Sequence, residues 1–168
     1  MIKLMKLMKD NKLYLDTSVI CAHNDFSKPL RQLITQKWFE NEAKDYELFL
    51  SVVTTKEINN FHEFKKQNVL KIIENYQVNI LDYTDDAKKL AQEYIEKGAI
   101  PPTEPEDAAH IAIATINNIE FLASWNFSHI VSVNPVRKVH EINRKNNYMQ
   151  IEIRTIELYG GAKYGNLS

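Results

Sequence analysis

Three acids in this 168-residue chain fall where an apolar run gives way to a helical pattern, and carboxylates so placed can do chemistry. Asp16 ends Leu13-Tyr-Leu15. Glu57 closes Thr54-Thr-Lys-Glu57, just after Glu47-Leu-Phe-Leu-Ser-Val-Val53. Asp107 opens the alanine-rich segment Asp107-Ala-Ala-His-Ile-Ala-Ile-Ala-Thr-Ile116. Each has a local explanation: Asp16 can cap a helix, Glu57 can be the return half of a capping box, and Asp107 can complement a helix dipole. Asp107 strains that explanation most, because Glu106 already fills the capping-box position of Thr103-Glu-Pro-Glu106. The helix behind it is apolar on nearly every side, and no Lys or Arg lies between Glu104 and Ile116. A buried carboxylate with no partner is costly, and a divalent cation would supply the missing charge.

Carboxylates gathered around a hard cation, with water completing the shell, are the usual way Mg²⁺ or Mn²⁺ is held. Such an ion lowers the pKa of a water to make a nucleophile and offsets charge on a phosphate. Both effects suit hydrolysis of a phosphodiester bond.

The elements that must position these acids alternate along the chain. Leu13–Leu15, the run at 47–53, Val78–Leu81 and Ile119–Ala123 read as strands, with Tyr148–Arg154 as a final one. Between them, Leu30, Leu33, Ile34, Trp38 and Phe39 give Lys28–Asp45 a helical period. A second helix starts at Thr54 and runs to Tyr76, with a break near His62. Asp85–Lys97 follows, stopped by Gly98 and Pro101-Pro102, then the buried helix opened at Thr103, and a basic helix over Pro135–Asn147. Alternation of this kind implies an α/β fold, a parallel sheet of four or five strands covered on both faces. Ligands of such sheets gather beyond the carboxyl ends of the strands, where the three acids fall.

Length and a 44% hydrophobic content suit one domain, expected to take in residues 1–168 with 1–11 as a poorly structured lead-in. A net charge of −1 gives no global sign of a polyanion partner, so any basic surface must be local. Cys21, the one cysteine, excludes an internal disulfide and a Cys-rich zinc site, and reads as a small packed residue. The first nine residues alternate Lys with apolar residues and do not form a signal peptide, and no apolar stretch is long enough for a bilayer. The expectation is a cytoplasmic protein with no membrane contact.

Four segments in order, Leu13-Tyr-Leu-Asp-Thr-Ser-Val-Ile20, Ser51-Val-Val-Thr-Thr-Lys-Glu-Ile58, Glu106-Asp-Ala-Ala-His-Ile-Ala-Ile-Ala114 and Leu122-Ala-Ser-Trp-Asn-Phe127, resemble the PIN-domain nucleases, especially the VapC-like toxins. The resemblance spans about Leu13 to Asn134. It implies a three-layer α/β/α sandwich and an endoribonuclease that uses a metal-activated water, with Asp16, Glu57 and Asp107 as ligands. It also implies a toxin of a type II pair, hence an antitoxin protein as partner, and a homodimer. Many members carry a fourth acid after the fourth strand, where this chain has Asn126. An amide there can ligate or position a water but brings no charge, which favours one metal over two. Thr17 and Ser18 could orient a water or phosphate, or simply start a helix.

His110, one turn after Asp107, is more readily a packed residue than an acid or base, and His129 is placed nearer the rim of such a site. The Arg137-Lys138 and Arg144-Lys145 pairs could meet RNA phosphates, though a solvated helix face is the default reading of such a charge run. Two other functions compete with the nuclease. One is a silent PIN-like module that binds RNA or protein; the other is a phosphatase with Asp16 as nucleophile, disfavoured because no Asp-x-Asp follows the first strand.

Overall fold

The computed structural model describes residues 11–160; the lead-in expected at 1–11 therefore lies, Asn11 apart, outside the described residues. Strands β1 (Lys12–Leu15), β2 (Glu47–Ser51), β3 (Asn79–Leu81), β4 (Phe121–Ala123) and β5 (Glu152–Arg154) form one sheet of order β3-β2-β1-β4-β5, with every pairing parallel. The central strand is buried on both faces, as its uninterrupted apolar run requires. Leu13 and Leu15 point to one layer and Tyr14 to the other.

The helices are α1 (Thr17–Ala22), α2 (Pro29–Asn41), α3 (Val52–Asn59), α4 (Glu63–Asn75), α5 (Asp85–Glu96), α6 (Pro105–Ile116) and α7 (Val133–Lys145). From β1 the chain moves outward through β2 and β3 on one side, then returns to β4 and β5 on the other. Right-handed crossovers in opposite directions place their helices on opposite faces. Trp38, Phe39, Val69 and Ile72 of α2 and α4 accordingly pack with Leu13 and Leu15, whereas Leu90, Tyr94, Ile113, Val139 and Ile142 of α5, α6 and α7 pack with Tyr14 and Leu122. The reversal at β1 and β4 leaves a crevice at their carboxyl ends.

Helix starts differ from the sequence expectation in two informative places. Helix α3 begins at Val52, capped by Ser51, whose hydroxyl accepts the Val53 N–H at 3.2 Å. The capping box expected at Thr54–Glu57 is absent; its residues lie inside the helix, and Val52-Val53 belong to α3 despite their strand propensity because Ser51 is the better cap. Helix α6 is entered at Glu104, which makes no side-chain cap bond, with Pro105 as the first helical residue, so the expected Thr103–Glu106 box does not form either. The break near His62 is real and separates α3 from α4.

Helix α2 is less one-sided than its periodicity suggests. Trp38 and Phe39 are buried, whereas Leu30 and Leu33 remain exposed. Cys21 is half-buried against the same layer, and its thiol is pushed up to about 11 by that burial. Among the described residues, no helix is long and apolar enough to cross a membrane.

Helix α6 carries the largest share of central packing, with every residue from Asp107 to Thr115 buried. Its alanines and isoleucines pack together with α5 and with Tyr14 and Leu122 of the sheet in one core. Replacing Ile113 with Ala is expected to lower unfolding free energy by about 2–4 kcal/mol, read as a drop in the urea midpoint with little change in m-value.

Candidate active site

All three acids reach the crevice, and each carboxylate takes a hydrogen bond from a residue outside its own element. Asp16 follows β1 as the N-cap of α1, yet its carboxylate makes no cap bond. Its Oδ2 instead accepts hydrogen bonds from Ser18 Oγ at 2.6 Å and Ser124 Oγ at 2.7 Å. Glu57 lies in the second turn of α3, beyond any capping position, and its Oε1 accepts from Thr17 Oγ1 at 2.9 Å. Asp107 is the third residue of α6, in its first turn, and its Oδ2 accepts from Asn126 Nδ2 at 2.8 Å.

His110 stands at the centre of this cluster. The ring is 1% exposed; Nε2 lies 3.0 Å from Glu57 Oε1, 3.3 Å from Thr17 Oγ1 and 3.4 Å from Asp16 Oδ1. On the other side, Nδ1 is 2.7 Å from the Tyr14 hydroxyl, which donates its own proton to Ser51 Oγ at 2.8 Å. The Tyr14 oxygen can therefore accept from Nδ1–H, while Nε2 faces the carboxylates. An imidazolium, with a donor on each nitrogen, satisfies both sides. Burial alone would lower its pKa, but the hydrogen bond to Glu57 and the charges of Asp16, Glu57 and Asp107 outweigh burial and raise it. Tyr14, desolvated in the core, has its own pKa driven strongly upward and stays protonated.

The loop after β4 closes the site from the other side. Asn126 gives its amide N–H to Asp107, and its Oδ1 accepts the His129 backbone N–H at 3.1 Å. A carboxylate requires a donor and an N–H an acceptor, so the amide orientation is fixed. Asn126 thus presents a donor to the acids, and the carbonyl expected to face a metal or water is engaged within its own loop. The Ser18 and Thr17 hydroxyls are spent in the same way, as donors that orient Asp16 and Glu57.

His129 and Glu104 complete a second, overlapping group. His129 Nδ1 lies 3.4 Å from Asp107 Oδ2 and 3.9 Å from Glu104 Oε1, and one ligand atom of each residue falls within 4.8 Å of the others. Beside Glu57 a cleft of about 240 Å³, lined in part by Lys56, Asn60 and Tyr83, gives solvent access. Burial and the field of Asp16 push the Asp107 carboxyl up to about 6, against the pull of His110 and His129. Such an acid is short of positive charge, and carboxylates with one imidazole nearby are a donor set that fits a divalent cation.

Ser124, Tyr14 and Glu104 were not singled out by sequence reasoning, and His110 was placed as a packing residue. His110 sits one helical turn from Asp107, which was the available signal. Ser124 and Tyr14 carry no signal of their own, because their roles follow from strand register.

The chain belongs to the PIN domain family, whose family model matches residues 13–126. PIN domains are in general nucleases that use divalent metals and bind nucleic acid. The matched span includes Asp16, Glu57 and Asp107 and ends on Asn126. No curated protein matches the chain.

The raised Asp107 pKa makes two effects measurable. A carboxyl held above its unfolded value favours folding below about pH 4 and loses that contribution as pH rises to about 6. Asp107→Asn should therefore stabilise the cation-free protein at neutral pH by about 1–2 kcal/mol, after allowance for solvent screening, and give no gain in acid. Mn²⁺ should raise Tm more above about pH 6 than below it, since the Asp107 proton must leave; a pH-independent shift would contradict this.

Proposed function

We propose that this protein is an endoribonuclease that hydrolyses RNA phosphodiester bonds with Mg²⁺ or Mn²⁺, acting as the VapC-like toxin of a type II toxin-antitoxin pair. The gathering of Asp16 and Glu57 on His110, with Asp107 one helical turn before it, in a chain of the PIN family, is the observation that carries the reading. When bound, a divalent cation supplies charge neutralisation at the phosphate and a water of lowered pKa.

The roles of the chain's own residues follow from their contacts. Asp16, Glu57 and Asp107 hold the cation. Ser18 and Ser124 fix the Asp16 carboxylate from two sides, and Thr17 fixes Glu57. Asn126 keeps the Asp107 carboxylate turned toward the crevice. His110 offsets the repulsion among the acids and holds them apart at a set spacing. On this reading the whole chain acts as one unit in the cytoplasm, an antitoxin protein is its natural inhibitor, and Leu30 and Leu33, exposed on α2, serve a homodimer. A small neighbouring gene for that inhibitor would support the toxin role.

A second reading, a silent PIN-like module that binds RNA or a protein, draws on Asn126, which adds no charge where an acid is common in the family. The two separate cleanly. Mn²⁺-dependent RNA cleavage that EDTA removes, and that Asp16→Asn and Asp107→Asn each reduce roughly a hundredfold or more, about 3 kcal/mol of barrier, is the expected result. RNA binding without cleavage or Mn²⁺ binding favours the silent module.

A further inference from the structure

One cation, on α2, is held in place by aromatic rings rather than by an acid. Arg31 of α2 lies half-buried, with its guanidinium carbon 5.1 Å from the Trp125 ring centroid and 5.6 Å from that of Phe127. Its side chain makes no hydrogen bond or ion pair among the described residues. Cation–π contact fixes a guanidinium in space while leaving its N–H donors free, and those donors form a planar fork suited to phosphate.

The two rings are rigidly tied to the acids. Trp125 Nε1 donates to Thr35 Oγ1 at 3.0 Å, and Thr35 is fully buried in α2. The Trp125 backbone N–H donates at 2.9 Å to Ser18 Oγ, the hydroxyl that donates in turn to Asp16. Between the rings stands Asn126, whose amide holds Asp107. Trp125 is only 6% exposed and serves as the platform under Arg31, whereas Phe127 is 51% exposed and offers its ring to solvent. The rings lie 6.1 Å apart and tilted by 55°.

A polyanion approaching carboxylates needs positive charge at the edge of the site, and a fixed Arg next to an exposed aromatic ring is the pairing that single-stranded nucleic acid uses. We propose that Arg31 and Phe127, on the Trp125 platform, form a nucleotide subsite at the rim of the acid cluster. Arg31 pairs with a backbone phosphate, and Phe127 stacks on an unpaired base next to the bond to be cut. This rests on the hydrolytic reading above and assigns to two of the chain's own side chains the recognition of an unpaired nucleotide, because bases inside a duplex cannot reach a stacking ring.

The test is fluorescence anisotropy of a short labelled single-stranded RNA, titrated in EDTA with wild-type, Arg31→Met, Arg31→Lys and Phe127→Ser protein over a range of salt. Arg31→Met keeps the side-chain stem over Trp125, and it should weaken binding and reduce the salt slope by about 0.7; Arg31→Lys should restore the slope. Phe127→Ser should weaken binding about tenfold with the slope unchanged, and should not affect the poorer binding of duplex RNA. Variants that bind like wild type, or a wild-type protein that binds no RNA, overturn the subsite. The predicted pattern without cleavage in Mn²⁺ upholds it and counts against hydrolysis alone.

Discussion

Like charges gathered at one edge of a parallel sheet repel one another, and most of the site's construction answers that repulsion. Asp16, Glu57 and Asp107 converge because β1, α3 and α6 all end or begin at the crevice where the sheet reverses direction. Their charge is met by His110, by hydroxyl donors on Asp16 and Glu57, and by the Asn126 amide on Asp107. Burial and the charge of Asp16 together leave Asp107 with a raised pKa. A half-satisfied cluster of this kind is poised for a cation rather than for stability.

The fold supplies the rigidity that this balance requires. Tyr14 projects from the fully buried central strand to the face covered by α6, so its hydroxyl meets His110 of that helix, and Ser51 at the end of β2 holds the hydroxyl in turn. A chain of contacts thus runs from two strand ends through one imidazole to two acids. The loop after β4 works from the opposite side: Ser124, Trp125 and Asn126 bind Asp16, Ser18 and Asp107 with successive groups. That same loop presents Phe127 and the platform for Arg31, so the surface beside the acids is set by the hydrogen bonds that orient them.

Strand positions and helix periods were legible in the sequence because buried parallel strands leave continuous apolar runs, and helices recur at three- and four-residue steps. The acids were legible for a related reason, since they fall at the junctions of those patterns. Helix starts were harder. Ser51 and the Thr54–Glu57 segment both offered caps, and only tertiary packing decided between them. The case for Asp107 rested on a capping box that does not form; what singles it out is its turn toward Asn126 and His129. His110 read as a core residue, and buried it is, but the charges around it come from three different elements and have no trace in the local sequence. The direction of the Asn126 amide is likewise fixed by partners distant in the chain.

Crystals soaked in Mn²⁺ and measured at its absorption edge would test the central claim most directly. The account predicts an anomalous peak bounded by Asp16, Glu57 and Asp107, with the Glu57 carboxylate drawn away from His110 toward it. Saturating Mn²⁺ that leaves no peak there, with Asp16 and Glu57 still turned onto His110, would contradict it.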